Sequence, residues 1–164
     1  MSRLIIIRGN SGSGKSTVAL KLRHELGYGT MLIPQDVVRR DILRVADNLN
    51  NPAIQLIEDI ALYGKSIYYD VIIEGILGKE KYGVMLQRLS LHFDNTFAFY
   101  FDITFEETLK RHQLKNNKNP EYGEKEMREW WRENDTLGIA NENIIPASLT
   151  EHETVEFILK VLNT

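Results

Sequence analysis

The chain is 164 residues long, carries a formal net charge of −3 and contains no cysteine. That length supports one well-cored domain and leaves too little chain for two of ordinary size, while the mildly acidic balance argues against a protein that coats extended nucleic acid. The missing cysteines exclude disulfide scaffolds, thiolate metal sites and cysteine nucleophiles, and they are compatible with a reducing cytoplasm.

Arg3 to Arg8 reads as a buried parallel strand, because an unbroken apolar run of this kind suits a strand covered on both faces. It is too short for a membrane span and lacks the layout of a signal peptide, so the expectation is a soluble cytoplasmic protein with no membrane partner. Directly after it stand Gly9, Asn10, Ser11, Gly12, Ser13, Gly14, Lys15 and Ser16, which fit the phosphate-loop pattern G-x-x-x-x-G-K-[S/T] at every fixed position, with Thr17 following. Glycines let the backbone turn its N–H groups onto phosphate oxygens, and the N-terminus of the next helix adds its positive dipole end. Residues 9–17 are therefore the candidate nucleotide site. In it Lys15 reaches the β- and γ-phosphates and the Ser16 hydroxyl is the candidate magnesium ligand.

Lys15 to about Leu26 reads as a helix with Val18, Ala19, Leu22 and Leu26 on its inner face, stopped by Gly27 and Gly29. Thr30 to Ile33 is a second strand closed by Pro34. A helical stretch follows from Asp36, for which two readings stand: an ordinary N-cap, or an acid beyond the carboxyl end of the second strand, on the sheet edge where ligands bind in open α/β sheets. In the second reading Asp36 accepts the proton of a substrate hydroxyl, and Arg39 faces the same way one turn on, with Arg40 a solvated surface residue. Asp47 to Pro52 is a loop, and Asn51 caps a helix that stops near Gly64, expected to pack over the acceptor side of the cleft with Tyr63, Tyr68 and Tyr69 available to stack on a substrate.

Val71-Ile72-Ile73 is a third buried strand ending in Glu74, for which two readings stand: a carboxylate that caps the next helix, or a site acid partnered by a magnesium-bound water, Lys15 or a substrate hydroxyl. Lys79 to Phe93 reads as an amphipathic helix with Met85, Leu86, Leu89 and Phe93 inward. Phe97 to Phe101 is a fourth, fully apolar strand. Thr104 and Glu107 form a capping box for a helix bearing Lys110, Arg111 and Lys115, which runs into the polar segment Asn116 to Pro120 and then a charged helix from Glu121 to Asn134 anchored by Met127, Trp130 and Trp131. Two helices joined by a polar tip read as a lid over about residues 111–128, with Arg111 and Lys115 one turn apart. Asn143 to Pro146 is a short fifth strand at an edge, and Thr150 and Glu153 cap a closing helix striped by Val155, Ile158, Leu159 and Leu162.

This order of features resembles the P-loop small kinases over essentially the whole chain. The phosphate loop, the Asp36-x-x-Arg39 pair, the acid at Glu74 and Arg111 in a lid helix are most similar to the branch that includes the 5′-kinase domain of phage polynucleotide kinase, chloramphenicol phosphotransferase and zeta-toxin-like kinases. The resemblance implies a three-layer α/β fold, a five-stranded parallel sheet with helices on both faces and a helical lid in one domain spanning residues 1–164. It implies transfer of the γ-phosphate of ATP, with Mg2+, to a hydroxyl of a small-molecule or nucleoside-like acceptor. Lys15, Asp36 and Arg111 would then be the catalytic residues, with Arg39, Glu74 and Lys115 on the substrate. Lys115 departs from the family's arginine, since a lysine cannot make a bidentate fork. A kinase of 5′-hydroxyl nucleic-acid ends, a zeta-toxin-like kinase and a nucleotide-dependent switch are the rival readings.

Overall fold

The computed structural model describes residues 2–67, 70–115 and 122–164. Its organising element is β1 (Arg3–Gly9), whose side chains alternate between two hydrophobic layers. Leu4 and Ile6 enter one buried cluster and Ile5 and Ile7 the other. A strand apolar on both faces has to be covered on both, and the rest of the chain supplies the covers.

Around β1 the described residues form a five-stranded parallel sheet in the order β2-β3-β1-β4-β5, with β2 (Thr30–Pro34), β3 (Asp70–Gly75), β4 (Asn95–Asp102) and β5 (Glu142–Pro146). On one face lie α1 (Lys15–Leu26) and the closing helix α7 (Glu151–Leu162), packed through Val18, Leu22, Val155 and Ile158 against Ile5, Ile7, Phe99 and Ile145. On the other lie α2 (Val37–Ile42), α3 (Pro52–Ile67) and α4 (Lys79–Ser90), packed through Val38, Ile57, Met85 and Leu89 against Leu4, Ile6, Val71 and Ile73. Two short helices, α5 (Phe105–Leu114) and α6 (Glu124–Trp130), follow β4. The three-layer α/β arrangement, the edge position of β5 and the Thr150 capping box all match the sequence reading.

Four local readings change. The segment after β2 is a π-helix, in which Leu43 N–H donates to Val38 C=O at 3.0 Å, five residues back. Asp36 makes no capping hydrogen bond there, so the ordinary N-cap reading of that residue falls. The third helix runs through Gly64 to Ile67: a Cβ at Gly64 would lie 2.6 Å from the Met31 sulfur, so this glycine permits close packing rather than stopping the helix. The fourth helix ends at Ser90, although Phe93 beyond it is buried. The sixth covers Glu124–Trp130 only, because Trp131 is extended and Asn134 has a φ of +50°. Tyr68, Tyr69 and the polar tip Asn116 to Pro120 lie outside the described residues.

A buried arginine ties this frame together. Arg8, at 0 % exposure, donates to Leu77 C=O at 3.0 and 3.1 Å and to the backbone and carboxylate of Asp135, both at 2.7 Å, with Glu142 3.6 Å away. The strand that feeds the phosphate loop is thereby bolted to the segments after β3 and before β5.

Candidate active site

The phosphate loop follows β1 and turns through Gly12 (φ +79°) and Gly14 (φ +95°), conformations that side chains rarely adopt. At Gly12 there is also no room, since an added Cβ would lie 2.6 Å from Thr108 C=O of α5. Gly14 caps α1 without a side-chain hydrogen bond, which leaves the first-turn N–H groups open to an anion. The Ser13 hydroxyl is buried without a partner among the described residues.

Lys15 is 8 % exposed and its Nζ donates to Asn10 C=O at 3.2 Å. Burial pushes its pKa down, the carboxylates of Glu74 and Asp36 oppose that shift, and Lys115 adds to it. Glu74 stands at the carboxyl end of β3, in register with Ile7 of β1, which brings it beside the loop. Its partner is Ser16, whose Oγ donates to Oε2 at 3.1 Å. Burial raises the Glu74 pKa, with Lys15 and the Ser16 hydrogen bond pulling the other way. Ser16 is a direct contact of Glu74 that the sequence did not suggest.

Asp36 is 63 % exposed and opens into a cavity of about 480 Å³ that the phosphate loop, Lys15, Ser16 and Thr17 also line. Arg39 Nη2 lies 3.4 Å and Arg40 Nε 3.7 Å from its Oδ1. Arg39 also donates to Val45 C=O at 3.1 Å, holding the loop that follows α2. Arg40 is not the solvated residue expected: it lines the cavity and its guanidinium sits 5.9 Å from the centre of the Trp130 ring. Tyr63 is 62 % exposed and the third helix does not line the cavity; Ala46 and Asp47 of the preceding loop stand there instead, with Lys81 Nζ 2.9 Å from the Asp47 carboxylate.

At the end of α5 the two basic residues part company. Arg111 is held by Glu107 (3.0 Å), Ser13 C=O (2.8 Å) and Ala147 C=O (3.1 Å), and lines a second cavity of about 310 Å³ beyond the loop, beside Thr17, Phe101 and Pro146. Lys115 lines both cavities. Asn10 pairs both ways with the backbone of Arg132, at 2.6 and 2.8 Å, so its side chain secures the segment after α6. Ser11 Oγ donates to Tyr122 Oη at 2.9 Å, and Tyr122 meets Trp130 edge to face at 5.0 Å. Tyr122, Arg132, Lys81 and Asp47 were not singled out in the sequence. The adjacent Trp130 and Trp131 offered one signal: neighbours on a helix diverge by about 100°, so both cannot face the same core. Trp131 packs on Phe105 at 5.4 Å and Trp130 faces the cavity.

Oxygen donors fit a magnesium ion, which keeps most of its waters and takes one or two protein ligands beside substrate phosphates. The Ser16–Glu74 pair supplies that set. Among the described residues there is no cluster of three His, Cys, Asp or Glu side chains able to hold a metal on its own. No described helix is long and apolar enough to cross a membrane.

No protein-family model and no curated protein matches the chain. Solved structures do. A gluconokinase from Sinorhizobium meliloti is 18 % identical at a TM-score of 0.70, covering 97 % of this chain and 90 % of that one. The APS kinase of Mycobacterium tuberculosis, in complex with AMPPNP and APS, is 12 % identical at 0.73, covering 99 % and 98 %. The tunicamycin resistance protein of Deinococcus radiodurans is 18 % identical at 0.67, covering 99 % and 96 %. The chain has the fold of the P-loop small kinases.

Proposed function

We propose that the protein transfers the γ-phosphate of ATP to a hydroxyl group of a small molecule. The observation that carries this reading is a single cavity in which Lys15 and Ser16 of the phosphate loop face an unburied carboxylate, Asp36, on the neighbouring helix. Solved structures of like fold named as a gluconokinase and an APS kinase support a phosphotransferase over a switch. A switch has no need of an acid and two arginines across the cavity from the phosphates.

In this reading the loop N–H groups and the first turn of α1 cradle the phosphates, and the Lys15 ammonium stands on the β- and γ-oxygens. Ser16 and Glu74 would hold Mg2+, which would supply charge neutralisation on the phosphates. Asp36 orients the acceptor hydroxyl and takes its proton, while Arg39 fixes the carboxylate. Arg111, fastened to Ser13 and Ala147, braces the lid root against the loop and borders the cavity for the nucleotide's base. Lys115, which adjoins Lys15, is then the lid cation on the transferring phosphoryl group.

A coupled ADP-release assay over nucleosides, sugars, phenicol and aminoglycoside compounds and 5′-hydroxyl oligonucleotides tests the reading. One class should raise ADP release well above the acceptor-free rate, and Lys15→Ala should remove both rates. Slow hydrolysis indifferent to every acceptor would count for a switch.

A further inference from the structure

We infer that the acceptor is a small, net-uncharged molecule with several hydroxyls, sugar-like or nucleoside-like, carrying neither phosphate nor carboxylate; this rests on the phosphotransferase reading of the same cavity. Two independent features of the wall lead there.

The first is a continuous arc of contacts along the lid side of the cavity. Ser11 donates to Tyr122 at 2.9 Å, Tyr122 meets Trp130 at 5.0 Å, Trp130 meets the Arg40 guanidinium at 5.9 Å, and Arg40 lies 3.7 Å from Asp36. The arc runs from the phosphate loop to the carboxylate on α2, so the candidate donor and acceptor groups share one continuous wall of side chains. The cavity volume of about 480 Å³ is that of a small-ligand site. A nucleic-acid end needs an open basic groove with stacking positions along it.

The second is charge. Apart from the loop and Lys115, the described side chains lining this cavity include four cations and four acids, and every one of those cations has an acid beside it, Arg39 and Arg40 sharing one. Asp36 serves Arg39 and Arg40 (3.4 and 3.7 Å), Asp47 serves Lys81 (2.9 Å), Glu80 lies 3.6 Å from Arg132, and Glu129 is the fourth acid. Cations already matched by carboxylates give no surplus potential to attract an anion, and an anionic acceptor would be set against four carboxylates. A hydroxyl suits such a wall, because it donates to a carboxylate and accepts from the neighbouring guanidinium or ammonium at once. Trp130 adds an apolar ring against which the C–H face of a sugar or a base can lie.

The test uses matched pairs in the ADP-release assay: uridine and its monophosphate, glucose with gluconate and glucose 6-phosphate, and a 5′-hydroxyl oligonucleotide. The uncharged member of the accepted pair should exceed its charged partner by about tenfold or more in kcat/KM, with little dependence on salt. A preference for the charged partner or for the oligonucleotide overturns the inference and leaves phosphotransfer standing. A second arm does not depend on turnover: protein saturated with AMPPNP and Mg2+ is titrated with inorganic phosphate in a calorimeter. No saturable binding in the millimolar range is expected. Saturable binding that Arg132→Gln abolishes would overturn the inference. If no acceptor stimulates ADP release, the phosphotransferase reading fails, and the phosphate titration still decides the charge claim.

Discussion

Ser16 Oγ donates to Glu74 Oε2 across 3.1 Å, joining the first turn of α1 to the carboxyl end of β3. The two are 58 residues apart, and the pairing of β1 with β3 in register is what brings them together. Glu74→Gln keeps a neutral acceptor for the serine and removes the charge that a hard divalent cation requires. The expected result is a requirement for about 10- to 100-fold more Mg2+, read by titrating the metal at fixed ATP in the ADP-release assay, with the melting curve of the metal-free protein still cooperative.

Lys15 gives a pH dependence with a definite sign. Its pKa is lowered in the folded protein, chiefly by burial, so below the ordinary value of 10.5 the unfolded chain binds more protons at this site than the folded one. Stability contributed by the site therefore rises with pH as the solution passes from the lowered folded value up towards 10.5, and at neutral pH the buried ammonium is a cost. Lys15→Met should melt about 2–4 °C above the wild type at pH 7 without nucleotide, and the gap should close as the pH is raised towards 10. The same variant should lose the thermal stabilisation that ATP confers. A gap that widens with pH would contradict the assignment.

Removing Arg8 should be among the most damaging single changes outside the site. Its guanidinium is fully buried and satisfies Leu77 C=O and both the backbone and the carboxylate of Asp135. Arg8→Met leaves those acceptors and Glu142 without their cation, at a cost of about 3 kcal/mol. The denaturation midpoint in urea should fall accordingly, whereas exposed Lys21→Met, which breaks a surface pair with Glu151, should shift it by less than about 0.5 kcal/mol.

What the sequence conveyed was whatever is encoded over short stretches. The five strands, the loop with its flanking strand and helix, and the two capped helices all rest on periodicity or on motifs a few residues long, and the structure reproduces them. Contacts between distant segments were out of reach. Nothing local marks Arg8 as buried, because its partners Asp135 and Glu142 lie more than 120 residues further on. Gly64 looked like a stop because a glycine's need for close packing against Met31 is invisible in one chain. In the site, spacing put Arg39 on the face of Asp36, but Arg40, four residues on, shares that face by the same rule, and its contact with Trp130 across the cavity joins segments too far apart in the chain to be read locally. Arg111 and Lys115 were legible as a pair one turn apart, yet only the packing of α5 on the loop at Gly12 sends Arg111 to Ser13 and Ala147 and leaves Lys115 bordering both cavities.

In the proposed transfer Asp36 receives the acceptor's proton while Lys15 holds the donor. Once an acceptor has been found, the most direct measurement compares wild type with Asp36→Asn in the ADP-release assay, with and without that acceptor, alongside the affinity for AMPPNP. The acceptor-dependent rate should fall by about 10²- to 10⁴-fold, while nucleotide affinity and the acceptor-free rate stay within about twofold. An Asp36→Asn enzyme that phosphorylates the acceptor at the wild-type rate would contradict the account.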